Sequence, residues 1–236
     1  MPTETGPGLD LQATLELADW RRRIADLYAA VRILAVTDVD SALELWRATR
    51  ERLFREHPQS PVPADQRAAF RARHFPADKS LRFEVVVTAV EGRTDASPAA
   101  TVGGLAGLGQ LGSAIAMDLP VSAGGTMSFS RIGHVAIPFA EGTRTLGVYW
   151  MAGYAGGIFL PFRDGTSGTE TYVAGRYLID SAKSADLGGD PERGTLVLDF
   201  NFAFQPSCAF DPKWACPLAP PENRLDIPIR AGERLA

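Results

Sequence analysis

LRFEVVV, running from Leu81 to Val87, is where the chain changes its period. Apolar and polar residues alternate at first, and the β-branched run that follows favours a pleated strand. Before this stretch apolar residues recur every three or four positions. After it the period is two and glycine is frequent. Further strands are expected near residues 114–119, 126–139, 144–151, 156–162, 171–179, 195–200 and 225–230, with Glu141-Gly142-Thr143 as a hairpin turn. Many short strands joined by Gly/Pro turns predict a mainly β fold, an antiparallel barrel or sandwich preceded by two N-terminal α-helices.

Upstream, Leu17, Trp20, Ile24, Leu27, Tyr28 and Val31 fall at steps of three and four, so one helix face carries them. Arg21, Arg22 and Arg23 lie mostly off that stripe and read as solvated. Thr37-Asp38-Val39-Asp40 breaks the pattern and offers N-cap side chains. A second helix follows with Leu43, Trp46, Leu53 and Phe54 inward, ending before Pro58 because the residue preceding a proline disfavours the α region. Pro63 to Phe70 is expected to add one or two helical turns. Residues 1–10 read as a flexible tail, 11–62 as a helical segment packed on the main domain, and 63–236 as the mainly β domain.

The chain has 236 residues, 45% hydrophobic and 22% charged, enough to bury a core. Its net charge of −4 and the lack of a long basic stretch argue against nucleic acid as a partner. No apolar run of about 18 residues exists, so no membrane span is expected. The opening MPTETGPGLDLQ lacks the basic-then-apolar pattern of a signal peptide, and the reading is cytoplasmic. The two cysteines are then expected as reduced thiols.

Few motifs carry chemistry by spacing alone. Gly107-Leu108-Gly109-Gln110-Leu111-Gly112 spells a dinucleotide fingerprint but lacks its strand-before, helix-after context, so a loop is expected. His57, His74 and His134 are far apart in sequence, and Cys208 and Cys216 have no neighbouring third and fourth ligand, so neither a metal site nor a cofactor is predicted. Strand alternation would put Glu170 with Tyr172 on one face, and Asp199 with Asn201 on another. Arg176 follows Gly175, and Glu222-Asn223-Arg224 sits in a proline-fixed turn, the kind of loop that often carries function. Asp199 either orients a ligand or pairs with Arg176 or Arg224 to pin the loops.

FRDGTSGTETYVAGRYL, LDFNFAFQPSCAFDPKWACPLAPPENRL and the closing AGE resemble the bacterial domain-of-unknown-function family numbered 1684. The upstream WRATRERLFREHPQSP also resembles that family's N-terminal helix and loop, so the likeness spans roughly residues 40–235. The resemblance implies a predominantly β fold and marks Arg163, Asp164, Glu170, Tyr172, Gly175, Arg176, Asp199, Asn201, Cys208, Cys216, Glu222, Asn223 and Arg224 as signature positions. It implies no reaction.

The functional expectation is therefore a small-molecule pocket. If it is catalytic, Asp199 or Glu222 would act in metal-independent acid/base chemistry. Arg163, Glu170, Tyr172, Arg176, Asn201, Asn223 and Arg224 would bind the ligand, an anionic one being suited to the arginine forks. The alternative is a non-enzymatic binding or interaction module in which the same polar residues are a structural clasp. Cys208 and Cys216 are candidate reactive thiols.

Overall fold

The computed structural model describes residues 10–90, 114–153 and 156–235. Helix α1 (Leu11–Leu34) is capped by the Asp10 carboxylate, which accepts the Gln12 N–H. Helix α2 (Val39–Glu56) is capped by Asp38, which accepts the Ser41 N–H, and it stops immediately before His57-Pro58. The strands are β1 (Arg73–His74), β2 (Arg82–Ala89), β3 (Ile115–Pro120), β4 (Thr126–Phe139), β5 (Gly142–Met151), β6 (Gly157–Phe162), β7 (Arg176–Asp180), β8 (Gly189–Asp190), β9 (Thr195–Asp199) and β10 (Glu233–Arg234). The expected order, two helices and then an antiparallel β fold, is what the chain adopts, with the main sheet curled into a half-barrel.

The main sheet runs β7-β6-β5-β4-β2-β9-β8, and β3 also pairs with β4. The long β4 serves two neighbours on one edge. Thr126–Arg131 bonds to β3, and Gly133–Val135 bonds to β2. A register shift between Arg131 and Gly133 marks the hand-over. Gly133 is required there, because a Cβ would lie 2.5 Å from the Thr88 carbonyl oxygen. Strands β4 and β5 form a hairpin in which Phe139 faces Gly142, with Gly142 at φ +107°. That positive φ is the turn feature anticipated around Glu141-Gly142-Thr143.

Both faces of the central strands are covered, which explains why GIFLPF in β6 is apolar without alternation. On one face Phe129, Tyr149, Phe159 and Tyr177 pack against Ile24, Tyr28, Trp46 and Phe54 from the helices. On the other, Leu146, Val148, Leu160, Phe162 and Leu178 meet Leu225, Ile227 and Ile229 of the C-terminal segment.

Three local expectations are corrected. Residues 225–230 do not form a strand. They run as an irregular segment bent at Asp226 and Ile227, with Leu225, Ile227 and Ile229 buried and Arg224, Asp226, Pro228 and Arg230 exposed. Their backbone bonds go to the Arg163–Gly165 loop: Leu225 N–H to Arg163 O at 2.7 Å and Gly165 N–H to Ile227 O at 2.9 Å. Pro228 has no N–H to offer a ladder. Burial of the three apolar side chains stabilises this attachment by up to roughly 6 kcal/mol, at about 2 kcal/mol each, so burial does what sheet bonding would otherwise do. Strand β7 starts only at Arg176, because Gly175, at φ +98°, closes a turn onto the Tyr172 carbonyl. Pro63–Phe70 forms separate turns rather than a helix, with i→i+3 bonds from Gln66 to Pro63 and from Phe70 to Arg67. The glycine run at 107–112, the segment 91–98 and most of the N-terminal tail lie outside the described residues.

Candidate functional site

The signature residues divide into separate clusters. At the first, Arg176 is buried beneath the C-terminal segment. Its guanidinium donates to the carbonyls of Ala231, Glu233 (3.1 Å) and Ile229 (2.8 Å), and to Asp164 Oδ2 at 3.2 Å. The same Oδ2 accepts the Ile229 N–H at 2.7 Å, and Asp164 Oδ1 accepts the Thr166 hydroxyl at 2.7 Å. Arg176 and Asp164 thus hold an irregular chain whose carbonyls have no ladder partner.

At the second cluster, the fully buried Asn223 amide does a similar task for β5 and β6. Its Oδ1 accepts the Gly147 N–H at 2.8 Å, and its Nδ2 donates to Gly147 O at 3.0 Å and Pro161 O at 2.7 Å. Tyr149 donates its hydroxyl to Glu222 at 2.9 Å, with Asn223 Oδ1 at 3.2 Å. Burial, and then that hydrogen bond to the Glu222 carboxylate, push the Tyr149 phenol well above its ordinary value. Arg163 joins this turn through its backbone, donating to Asn223 O at 2.9 Å, while Arg224 is exposed. Glu170 pairs with Arg230 on the surface at 2.8 Å.

The third cluster contains Asp199, directly opposite Arg82 across the β2–β9 pair and bonded to it at 3.0 Å. Asp199 and Asn201 are neighbours as expected, for a different reason. Asp199 caps a short 3-10 turn, Phe200–Phe202, and accepts both the Asn201 N–H (2.9 Å) and its amide (2.8 Å). Asn201 then grips the Asp78 main chain, with N–H and carbonyl both at 2.8 Å. A charged groove of about 330 Å³ opens here, lined by Asp38, Asp40, Lys79, Arg82, Asp199 and Asn201. Asp199 and Glu222 have no hydrogen-bond partner in common, and neither Arg176 nor Arg224 pairs with Asp199.

A more apolar concavity lies elsewhere. A cleft of about 310 Å³ opens between α1, α2, the end of β7 and the 204–216 segment. Leu17, Trp20, Ile24, Tyr28, Phe54, Tyr177, Phe204 and Trp214 supply its apolar walls, and Cys216 is the one signature residue in its lining. The first third of the α1 stripe overhangs this opening, leaving Leu17 39% exposed. Shallower grooves of about 500 and 540 Å³ run over the outer faces of the helices and are lined mainly by charged side chains.

The cleft's buried polar groups are Arg50, Asp180 and Gln205. Arg50 lies beneath the rings of Trp46, Phe54 and Phe204, 4.8–5.0 Å from each centroid. Its Nε and Nη2 both approach Glu233 Oε1 at 2.8 Å, while Glu233 Oε2 accepts the Gln205 N–H at 2.8 Å. Asp180 is 2% exposed. Its Oδ2 meets Lys183 at 3.2 Å, but its Oδ1 has no protein partner, and neither does the buried Gln205 Oε1. Burial pushes the Tyr28 phenol up to about 12, so its hydroxyl stays protonated beside Trp46 Nε1, 3.1 Å away. Among the described residues no cluster of three or more His, Cys, Asp and Glu could hold a metal.

One sequence signal for this cleft was available. Arg50 falls four residues after Trp46 and four before Phe54, so it sits inside the apolar stripe of α2. A guanidinium there needs a buried partner, and Glu233 is that partner. Asp180 and Gln205 had no comparable signal, since their role depends on which loops converge.

The last cluster is Cys208 with Cys216, both free and buried. The Cys208 N–H donates to Cys216 Sγ at 3.3 Å. The Cys216 thiol, and more weakly the hydroxyls of Ser122 and Tyr172, bring Cys208 down to about 6, against the opposing effect of burial. Cys216 is driven up correspondingly, because its proton is the one shared with Cys208. Tyr172 is raised to about 12 by burial and by its bond to Cys208.

No curated protein matches the chain. A solution NMR structure of an uncharacterized protein from Haloarcula marismortui is similar, with 30% identity over 83% of this chain and 94% of that one, at a TM-score of 0.55. The family profile described as "Protein of unknown function (DUF1684)" matches residues 68–234. That match starts at Ala68 rather than near residue 40, so α1 and α2 precede it while the sheet side of the cleft lies within it. No helix among the described residues is long and apolar enough to cross a membrane. On the family match and the shared sequence together, the chain belongs to the DUF1684 family.

Proposed function

We propose that this chain is a small-molecule-binding protein whose site is the cleft between the N-terminal helices and the sheet. The observation that carries this reading is the unpartnered pair of buried acceptors, Asp180 Oδ1 and Gln205 Oε1, in the lining of an otherwise aromatic cavity. Buried acceptors without partners are costly, and a ligand that supplies donors removes that cost. The ligand is a compact molecule with an apolar body and a donor end, such as an amine or amide. Arg21 and Lys183 at the exposed rim suit an anionic substituent at its other end. In this reading Arg176, Asp164, Asn223 and Arg163 are the clasp that holds the sheet side of the cleft, and the protein is a binding module.

The test is a thermal-shift screen of small amines, amides and amino acids, with native mass spectrometry of the purified chain for a retained compound. A binder should lose its shift in Asp180→Asn and Trp20→Ala, each variant being compared with its own ligand-free melting temperature, which Trp20→Ala lowers by removing packing on Phe54. Recovery of the compound unchanged after incubation separates binding from turnover. If no compound shifts the parent and no mass is retained, the reading fails.

A second reading assigns acid/base chemistry to the Asp199 groove. It is favoured by the concentration of Asp38, Asp40, Lys79, Arg82 and Asp199 around one concavity. Asp199→Asn would then abolish a turnover that Asp180→Asn leaves intact.

A further inference from the structure

We infer that Cys208 and Cys216 form a redox-active dithiol that a hydroperoxide oxidises to an intramolecular disulfide. The two lie eight positions apart in the segment PSCAFDPKWACP, held between Pro206 and Pro217. Cys208 opens from a short 3-10 turn, Ser207–Ala209, and its N–H already meets Cys216 Sγ at 3.3 Å. An N–Cα bond adds only about 1.5 Å, so that sulfur lies within about 5 Å of the Cys208 Cα. Disulfide-bonded cysteines hold their Cα atoms about 4.4–6.8 Å apart, and a sulfur this close to the Cys208 backbone is compatible with that span.

The surroundings favour reaction over inert burial. The Cys216 thiol and the Tyr172 and Ser122 hydroxyls converge on the Cys208 sulfur. Ser122 also fixes the loop, accepting the Cys216 N–H at 3.0 Å and donating to Trp214 O at 2.8 Å. Tyr177 and Lys183 are further ionisable groups facing the pair. Cys216 is in the lining of the cleft and Cys208 lies against it, which places the buried pair next to an opening to solvent.

The chemistry balances in two steps. The Cys208 thiolate attacks one peroxide oxygen. The O–O bond breaks, the leaving oxygen takes a proton and departs as water or alcohol, and Cys208 becomes a sulfenic acid. Cys216 then attacks that sulfur. The S–O bond breaks, the Cys216 proton leaves with the hydroxyl as water, and the S–S bond forms. The hydroperoxide is reduced by two electrons, and a low-molecular-weight dithiol returns the pair to the starting state. Bridging closes the loop 209–215, which carries Trp214 and Ala215 of the cleft wall. That last consequence rests on the cleft reading, whereas the dithiol chemistry stands without it.

The test treats the native parent chain with stoichiometric hydrogen peroxide at several pH values and follows intact mass and a peptide map. The expected result is loss of two hydrogens, a cross-linked peptide joining Cys208 to Cys216, and reversal by dithiothreitol. The rate should level off above about pH 6, where Cys208 is ionised. Cys216→Ser should trap a sulfenic acid on Cys208, detected with dimedone, and Cys208→Ser should show none. A parent chain that keeps two alkylatable thiols, or bridges only after denaturation, overturns the proposal without any variant having to fold. Sulfenic acid in Cys208→Ser overturns the assignment of Cys208 as the attacking sulfur. A disulfide that forms while ligand shifts stay unchanged refutes only the link to the cleft.

Discussion

Arg176→Met removes the fork that holds the C-terminal segment while keeping most of the apolar stem. The parent side chain is 1% exposed and bonds to three carbonyls and to Asp164. Breaking a buried ion pair by deleting one partner costs about 3–5 kcal/mol, because the remaining charge is stranded. Two local features bear on that figure. Asp164 keeps its bonds from Ile229 N–H and the Thr166 hydroxyl, which cushions the loss of the cation. Against this, the carbonyls of Ile229, Ala231 and Glu233 lose their donor, at about 1–3 kcal/mol for each one left dry. The expected loss is about 4 kcal/mol, or roughly 10–15 °C in melting temperature for a chain of this size. Urea unfolding followed by tryptophan fluorescence measures it, and the midpoint should fall with the slope unchanged. Asp164→Leu combined with Arg176→Met should recover only a small part of the loss, since both charges are then gone but the three carbonyls, the Ile229 N–H and the Thr166 hydroxyl are left without these partners. A loss below about 1 kcal/mol, with binding or activity abolished, would refute the clasp and make Arg176 a ligand-contacting residue.

Three further outcomes follow from the same geometry. Asn223→Ala leaves Gly147 and Pro161 without their bonds and should cost about 3 kcal/mol, while Glu222→Gln at the exposed end should cost under about 1 kcal/mol in the same urea assay. Gly175→Ala meets both a φ of +98° and a Cβ 2.3 Å from Phe162 O, so the expected result is loss of folded protein on expression. His74 is depressed from 6.5 to about 4, chiefly by burial, so the unfolded chain binds its proton first. The stability this confers is complete above about pH 6.5 and disappears as pH falls through about 4. It amounts to at most about 3 kcal/mol, and less given the partial exposure of the ring. His74→Gln should flatten the stability-versus-pH curve between those limits, and an unchanged curve would refute the assignment.

How much was legible depends on whether a residue's partner is near in sequence. The β4–β5 hairpin was readable because alternation and a turn lie in one window of sequence. Leu225, Ile227 and Ile229 also alternate, yet no strand forms. Alternation reports burial on one side, and it does not say whether sheet bonds or side-chain donors satisfy the main chain. The Asp199–Asn201 pairing was found by parity but is made by a cap, which keeps the two together through the opposite backbone geometry. For the cleft, the Trp20 stripe was read only as one apolar helix face, because periodicity cannot tell a covered apolar face from one overhanging a cavity. Asp180 became visible only once β7 and the 204–216 segment were seen to meet the helices.

The dependence of α2 on Glu233 also bears on how the protein is made. Arg50 emerges early in synthesis, and its carboxylate partner among the described residues is 183 residues later. Arg176 likewise waits for the carbonyls of residues 229–233. Until that segment clears the ribosomal tunnel, the nascent chain carries two guanidinium groups that cannot be buried without cost, and the helices have no settled dock. A released chain truncated near residue 228 should therefore be protease-sensitive, and restoring residues 229–236 should convert it to the resistant form.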